Sequence, residues 1–127
     1  MEQTKVFVYG TLKQGEVSHH FLEHMKARFI AKDTVVGRIV TVLGRYPGLV
    51  PSPTGLVSGE AYEIPVTGLL TLDIYEGTDH GLYERKQVMT TGGECVWAYF
   101  AKRGFEPGIY VESSSPMTYS WGHGSME

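Results

Sequence analysis

The stretch VFVYGTLKQGEV, residues 6–17, joins a short apolar run to a loop bracketed by two glycines. Val6, Val8 and the flanking Tyr9 are typical of a buried β-strand near the start of the chain. Gly10 ends that strand ahead of a predicted helix, so several backbone N–H groups can turn towards one point. Such a nest attracts an anion such as a carboxylate or a phosphate. The alternative is an ordinary strand-to-helix turn that binds nothing.

Composition restricts the class of protein. The chain has 127 residues, which is typical of one domain, and a net charge of −3 without a cluster of lysines or arginines. Nucleic-acid binding needs a basic face, so we expect no nucleic-acid partner. No apolar run approaches the roughly 20 residues of a membrane span. With no secretory signal and a single cysteine, the sequence predicts a cytoplasmic protein that does not contact membranes.

Apolar periodicity and glycine or proline punctuation predict six strands and two helices. The helices are expected over 17–26 and 66–76, the second ending at Gly77. The strands are expected over 4–9, 27–32, 35–43, 57–64, 82–91 and 94–102. The last two form a hairpin at Gly92-Gly93. Loops are expected at Tyr46-Pro47-Gly48 and over 51–55.

This element order predicts an α+β fold. We expect a small, mixed, mostly antiparallel β-barrel with two or more short helices. One domain over 1–112 is expected, followed by a tail over 113–127 that is either weakly ordered or docked as a last strand. The expected core includes five apolar residues of the strands and the second helix: Val6, Val8, Leu69, Leu72 and Val88.

Glu76 occupies an unusual position on the second predicted helix. At about 100° per residue, with Leu69 at 0°, Leu72 falls near about 300° and Glu76 near about 340°, on the apolar face. Glu76 also lies at the C-terminal end, where the helix dipole disfavours negative charge. Both effects raise the pKa of a carboxyl group, as a general base working near neutral pH requires. The alternatives are a glutamate frayed into water, or Asp73, one turn earlier, as the functional carboxylate.

Other reactive side chains give weaker signals. His20 and His24 are four residues apart and could hold a metal from one helix face, but no third ligand stands nearby. We therefore expect a solvated helix face, with no metal and no cofactor. Cys95 alternates with Trp97 and Tyr99 and is expected to be a packing residue.

Three segments together resemble a known family. Tyr9-Gly10-Thr11-Leu12 follows the first strand, Tyr46-Pro47-Gly48 lies mid-chain, and Leu72-Asp73-x-x-Glu76-Gly77 precedes Gly81-x-Tyr83-x-Arg85. In this order, over roughly residues 5–112, they resemble the gamma-glutamylcyclotransferase-like superfamily, which includes the gamma-glutamylamine cyclotransferases and small bacterial relatives. The resemblance implies a small mixed barrel packed with short helices.

The resemblance also implies an activity. The backbone of Tyr9, Gly10, Thr11 and Leu12 would hold the carboxylate of a gamma-glutamyl substrate, Glu76 would be the catalytic acid-base, and Tyr83 would line the pocket. The substrate's own α-amine attacks its γ-carbonyl, which gives 5-oxoproline and releases an amine or amino acid. The expected partner is therefore a small gamma-glutamyl compound.

Two alternatives stay open: a non-catalytic module that binds a carboxylate ligand, and a cyclotransferase for a biosynthetic gamma-glutamyl-protected intermediate. Arg85, from the same motif as Tyr83, is as readily a structural ion-pairing residue as a residue of the pocket.

Overall fold

The structure, a computed structural model, describes residues 2–42, 46–78, 81–102, 105–107, 111–112 and 118–119. These ranges contain two α-helices, α1 (His20–His24) and α2 (Gly68–Glu76). They also contain ten β-strands: β1 (Gln3–Val8), β2 (Arg28–Val36), β3 (Arg38–Val42), β4 (Tyr46–Val50), β5 (Leu56–Pro65), β6 (Tyr83–Met89), β7 (Cys95–Ala101), β8 (Phe105–Pro107), β9 (Val111–Glu112) and β10 (Thr118–Tyr119).

The strands form one mixed sheet in the order β8-β3-β4-β7-β1-β5-β10-β9, with β2 paired to β5 and β6 paired to β7. Pairing is mostly antiparallel; the parallel contacts are β1 with β7, β4 with β7, and β5 with β10. The predicted α+β class is confirmed. Within the described ranges, β8 and β9 at the two ends of this order do not pair with each other. The sheet is therefore open there, and the word barrel fits it only loosely.

Strand β1 lies in the middle of the sheet and is buried on both faces. Val6 and Val8 pack with Leu69 and Leu72 of α2 on one face, as the sequence predicted. Phe7 points to the other face, into a second apolar cluster against which the half-buried Val88 packs. Because both faces are covered, the end of β1 is held firmly where the chain turns at Gly10.

The segment Tyr46-Pro47-Gly48 was predicted to be a loop, and this prediction is wrong. It belongs to β4, which pairs with β3 over the register Arg38↔Val50 to Val42↔Tyr46. A Cβ atom on Gly48 would lie 2.7 Å from the side chains of both Ala101 and Val42, so glycine permits a close approach of strands. The described pairing of β4 with β7 is at Leu49, beyond Pro47, whose missing N–H therefore does not interrupt that ladder.

The two helices are present within the predicted segments. Helix α1 covers His20–His24, which is shorter than predicted, because residues 17–19 form turns instead; the N–H of His19, for example, donates to Glu16 O at 3.2 Å. Helix α2 ends at Gly77, as predicted, with a φ of 72° that suits glycine. Neither helix is long and apolar enough to cross a membrane, a finding limited to the part of the chain that is described.

Two further predictions concern the ends of β7 and the chain. Cys95 was expected to be a packing residue, but it is exposed, because Val96, Ala98 and Phe100 point inward instead. The tail over 113–127 lies outside the described residues, apart from β10, which pairs with β5 and β9. The division into a domain over 1–112 and a tail stays a prediction.

Candidate active site

The loop after β1 is closed by hydrogen bonds to its own carbonyl groups. The N–H of Lys13 donates to Gly10 O at 3.1 Å, and the N–H of Ser18 donates to Thr11 O at 2.9 Å. His19 Nδ1 donates to Leu12 O at 2.9 Å. Among the described residues, none accepts a hydrogen bond from the N–H groups of Gly10, Thr11 or Leu12. In the part of the chain that is described, these three donors thus stay open to a ligand.

The same loop forms one wall of a cavity of about 180 Å³. The other walls come from the end of β1, from β4, from the C-terminal end of α2 and from β6 and β7. The lining residues are Val8, Tyr9, Gly10, Thr11, Leu12, Pro47, Tyr75, Glu76, Tyr83 and Tyr99. The cavity thus contains all six of the site residues predicted from the sequence.

Glu76 is the last residue of α2 and the acidic residue in the cavity wall. Burial raises the pKa of its carboxyl group from 4.5 to about 8. No hydrogen bond or ion pair with another described residue offsets this burial. The group is therefore mostly protonated at pH 7, and it can both accept and donate a proton near neutral pH.

Tyrosine hydroxyl groups fix the cavity wall to the strands behind it. Tyr9 OH donates to Tyr99 O at 2.5 Å and accepts from the N–H of Leu49 at 2.8 Å. Tyr83 OH donates to Pro47 O at 2.6 Å. Burial holds the pKa of Tyr9 well above its usual range, so this residue stays a neutral donor. The hydroxyl of Tyr9 is thus engaged in the framework, which leaves its neighbours in the loop to meet a ligand.

Asp73, the rival carboxylate, has partners of its own. It accepts a hydrogen bond from Tyr99 OH at 2.6 Å and pairs with Arg85 Nε at 3.2 Å. The guanidinium of Arg85 also lies 4.6 Å from the centre of the Trp97 ring. Asp73 does not line the cavity. Its position suits a residue that holds Tyr99 in place, whereas Glu76 is the carboxyl group that faces the cavity.

The chain is similar to known proteins in sequence and in structure. The model of the gamma-glutamyl cyclotransferase, AIG2-like family matches residues 6–120. The chain belongs to this family. It is 36% identical over 109 residues to a Drosophila melanogaster protein provisionally named a gamma-glutamylcyclotransferase, covering 77% of this chain and 69% of that protein.

Two further known proteins are similar to the chain, one in sequence and one in structure. The gamma-L-glutamyl-butirosin B gamma-glutamyl cyclotransferase of Niallia circulans is 34% identical over 107 residues, covering 77% of this chain and 67% of that enzyme. The crystal structure of an AIG2-like protein from Mus musculus superimposes with a TM-score of 0.68 at 22% identity, covering 94% of this chain and 97% of the mouse chain. The second comparison supports the gamma-glutamyl cyclotransferase-like fold.

The sequence did not identify every residue of the family's candidate site. Tyr75 and Tyr99 line the cavity, yet neither was predicted to do so. Tyr75 precedes Glu76 directly, and this adjacency was the available signal. Tyr99 reaches the cavity because it lies on β7, and the position of β7 depends on its pairing with β6 and β1. His20 and His24, whose rings are 6.2 Å apart, belong to no group of three metal-ligating side chains in the described ranges.

Proposed function

We propose that this protein is a gamma-glutamyl cyclotransferase. It would convert a gamma-glutamyl amine or amide into 5-oxoproline and release the amine. One observation carries the proposal: the N–H groups of residues 10–12, which have no acceptor among the described residues, and the carboxyl group of Glu76, whose pKa is raised by burial, belong to residues that line a single cavity. The N–H groups can hold the α-carboxylate of an amino acid. The carboxyl group of Glu76 can then accept a proton from its α-ammonium group.

In the proposed reaction, Glu76 carries protons from the attacking nitrogen to the departing nitrogen. The ionised carboxylate accepts a proton from the substrate's α-ammonium group, whose pKa is about 8 in peptide models. Because burial places the pKa of Glu76 at about 8 as well, this transfer costs little free energy. The free amine then attacks the γ-carbonyl carbon and a new C–N bond closes the five-membered ring. The bond from that carbon to the departing nitrogen breaks as Glu76 gives its proton to that nitrogen. The ring nitrogen then loses its second hydrogen to the Glu76 carboxylate, which passes it to the departing amine, so that 5-oxoproline keeps one N–H and the amine leaves as an ammonium ion.

The chemistry needs no nucleophile from the protein, since the substrate supplies its own amine. The cavity has to bend the glutamyl chain so that the amine approaches the γ-carbonyl, and effective molarities of about 10⁵–10⁸ M are available for such alignment. The hydroxyl groups of Tyr9 and Tyr83, each bonded to a backbone carbonyl, give the cavity the rigidity that alignment requires. A cytoplasmic location stays a prediction from the sequence.

The test is a substrate screen with detection of 5-oxoproline by mass spectrometry. The panel contains gamma-glutamyl amines, gamma-glutamyl dipeptides and a gamma-glutamyl-protected aminoglycoside, because the Niallia circulans relative is named for such a compound. Each assay runs beside the Glu76→Gln variant, which controls for contaminating activity. Release of 5-oxoproline by the wild type alone supports the proposal. Binding of these compounds without release, across the panel, would instead favour a module that only binds them.

A further inference from the structure

The hydroxyl group of Tyr75 lies at the centre of a small polar cluster. It donates a hydrogen bond to Ser18 Oγ at 2.7 Å and shares a very short one with Thr11 Oγ1. Thr11 lies near the beginning of the loop after β1, and Ser18 lies near its end. The N–H of Ser18 also donates to Thr11 O, at 2.9 Å. Tyr75 therefore links both ends of this loop to α2.

The number of hydroxyl hydrogens determines which residue donates in each hydrogen bond of the cluster. A tyrosine hydroxyl carries one hydrogen, and that of Tyr75 is directed to Ser18. Thr11 must therefore donate to Tyr75. The hydroxyl hydrogen of Thr11 is then directed towards α2 and cannot serve a bound carboxylate. Anion binding at this loop is left to the backbone N–H groups, whose placement depends on where the cluster holds the loop.

Tyr75 is also fixed from the side of its ring. The ring lies 4.9 Å from that of Phe21, between centroids, so a partly buried aromatic contact joins α2 to α1. Glu76 is the next residue along the chain. Any shift of the loop relative to Tyr75 is thus a shift of the anion donors relative to the carboxyl group of Glu76.

We propose that Tyr75 is a positioning residue: its hydroxyl holds the loop of residues 10–18 in register with the end of α2. This proposal rests on the proposed function and extends it. The α-carboxylate site lies on the loop, while the acid-base lies on the helix. A bound glutamyl group is aligned only if the two keep their spacing, and a misplacement of about 1 Å can slow catalysis by about 10²-fold.

The Tyr75→Phe variant tests this without disturbing the ring contact, because it removes the oxygen and keeps the ring. Its matched control is Thr90→Val, which removes a buried hydroxyl that accepts from the N–H of Glu94 at 2.9 Å in the hairpin between β6 and β7. Neither Thr90 nor Glu94 lines the cavity. A general loss of stability would affect both variants, whereas a positioning role affects Tyr75→Phe.

The first measurement is hydrogen exchange by mass spectrometry, which does not depend on activity. Loss of two hydrogen bonds should speed exchange of residues 10–18 about tenfold in Tyr75→Phe, while Thr90→Val leaves that segment unchanged. Unchanged exchange over residues 10–18 in Tyr75→Phe would overturn the proposal, whether or not any gamma-glutamyl compound is turned over. This measurement therefore distinguishes a failure of the loop-positioning inference from a failure of the proposed function, which the substrate screen tests.

The second measurement is a double-mutant cycle on 5-oxoproline release. Tyr75→Phe should lower kcat/KM by about 10- to 100-fold, and Ser18→Ala by a smaller factor. The double variant should be no slower than Tyr75→Phe, because both changes break the same link. The pH dependence of kcat should keep its wild-type form. Fully multiplicative losses, a Tyr75→Phe rate within twofold of wild type, or a lost limb of the pH profile would each contradict a positioning role.

Discussion

Replacement of Glu76 by glutamine should change the pH dependence of stability in a calculable way. Burial raises the pKa of this carboxyl group from 4.5 to about 8, so the folded protein keeps a proton that the unfolded chain releases. Between these two pH values folding takes up a proton, and stability therefore falls as pH rises. At about 1.36 kcal/mol per pKa unit, the loss is about 3 kcal/mol at pH 7 and about 5 kcal/mol above pH 8. Below pH 4.5 there is no loss.

Urea denaturation of wild type and Glu76→Gln at several pH values between 4.5 and 9 measures this effect. Glutamine keeps the shape of the protonated acid and cannot ionise. The difference in unfolding free energy between the two proteins isolates Glu76, because their other titrating groups are shared. The variant should gain about 3 kcal/mol on the wild type between pH 4.5 and pH 7. A difference that stays constant with pH would refute the argument that burial raises the pKa of Glu76.

Three further predictions follow from the site. Asp73→Asn should lose stability by about 1–3 kcal/mol, seen by urea denaturation, because Arg85 loses its charged partner, yet it should keep turnover within about tenfold; an inactive Asp73→Asn would make Asp73 the functional carboxylate. Gly77→Ala should lose about 1 kcal/mol in the same assay, since φ is 72° there. The kcat/KM profile should be bell-shaped around pH 8, and an acid limb near 4.5 would contradict a buried Glu76.

The sequence predicts those features that depend on local pattern. Helix α2 shows this well: Leu69 and Leu72 are buried, Gly77 ends the helix, and Glu76, which the helical period placed on the same face, lines the cavity. The helical period of the apolar residues and the glycine at position 77 are enough to predict these features. The end of β1 at Gly10 is equally local, since it needs only an apolar strand followed by a glycine, whereas the role of this loop as an anion nest stays a prediction.

The remainder depends on contacts between distant parts of the chain. Pro47 was expected in a loop because proline and glycine are usual there, but the pairing of β4 with β3 overrides that preference. The hydrogen bond from Leu49 to Tyr9 joins residues 40 positions apart, and the one from Tyr75 to Ser18 joins residues 57 apart. Sheet register decides such partners. No local spacing contains that register, which is why Tyr99 was not predicted to line the cavity, and why the hydrogen bonds of Tyr9 and Tyr75 were not predicted.

The most direct test of the central claim compares substrate binding and turnover in one variant. The wild type and Glu76→Gln are given the best substrate from the screen at pH 8, with 5-oxoproline followed by mass spectrometry and affinity measured by calorimetry. Because glutamine mimics the protonated acid but accepts no proton, release should fall at least about 10²-fold while affinity changes by less than about threefold. A Glu76→Gln variant that releases 5-oxoproline at nearly the wild-type rate would contradict the account.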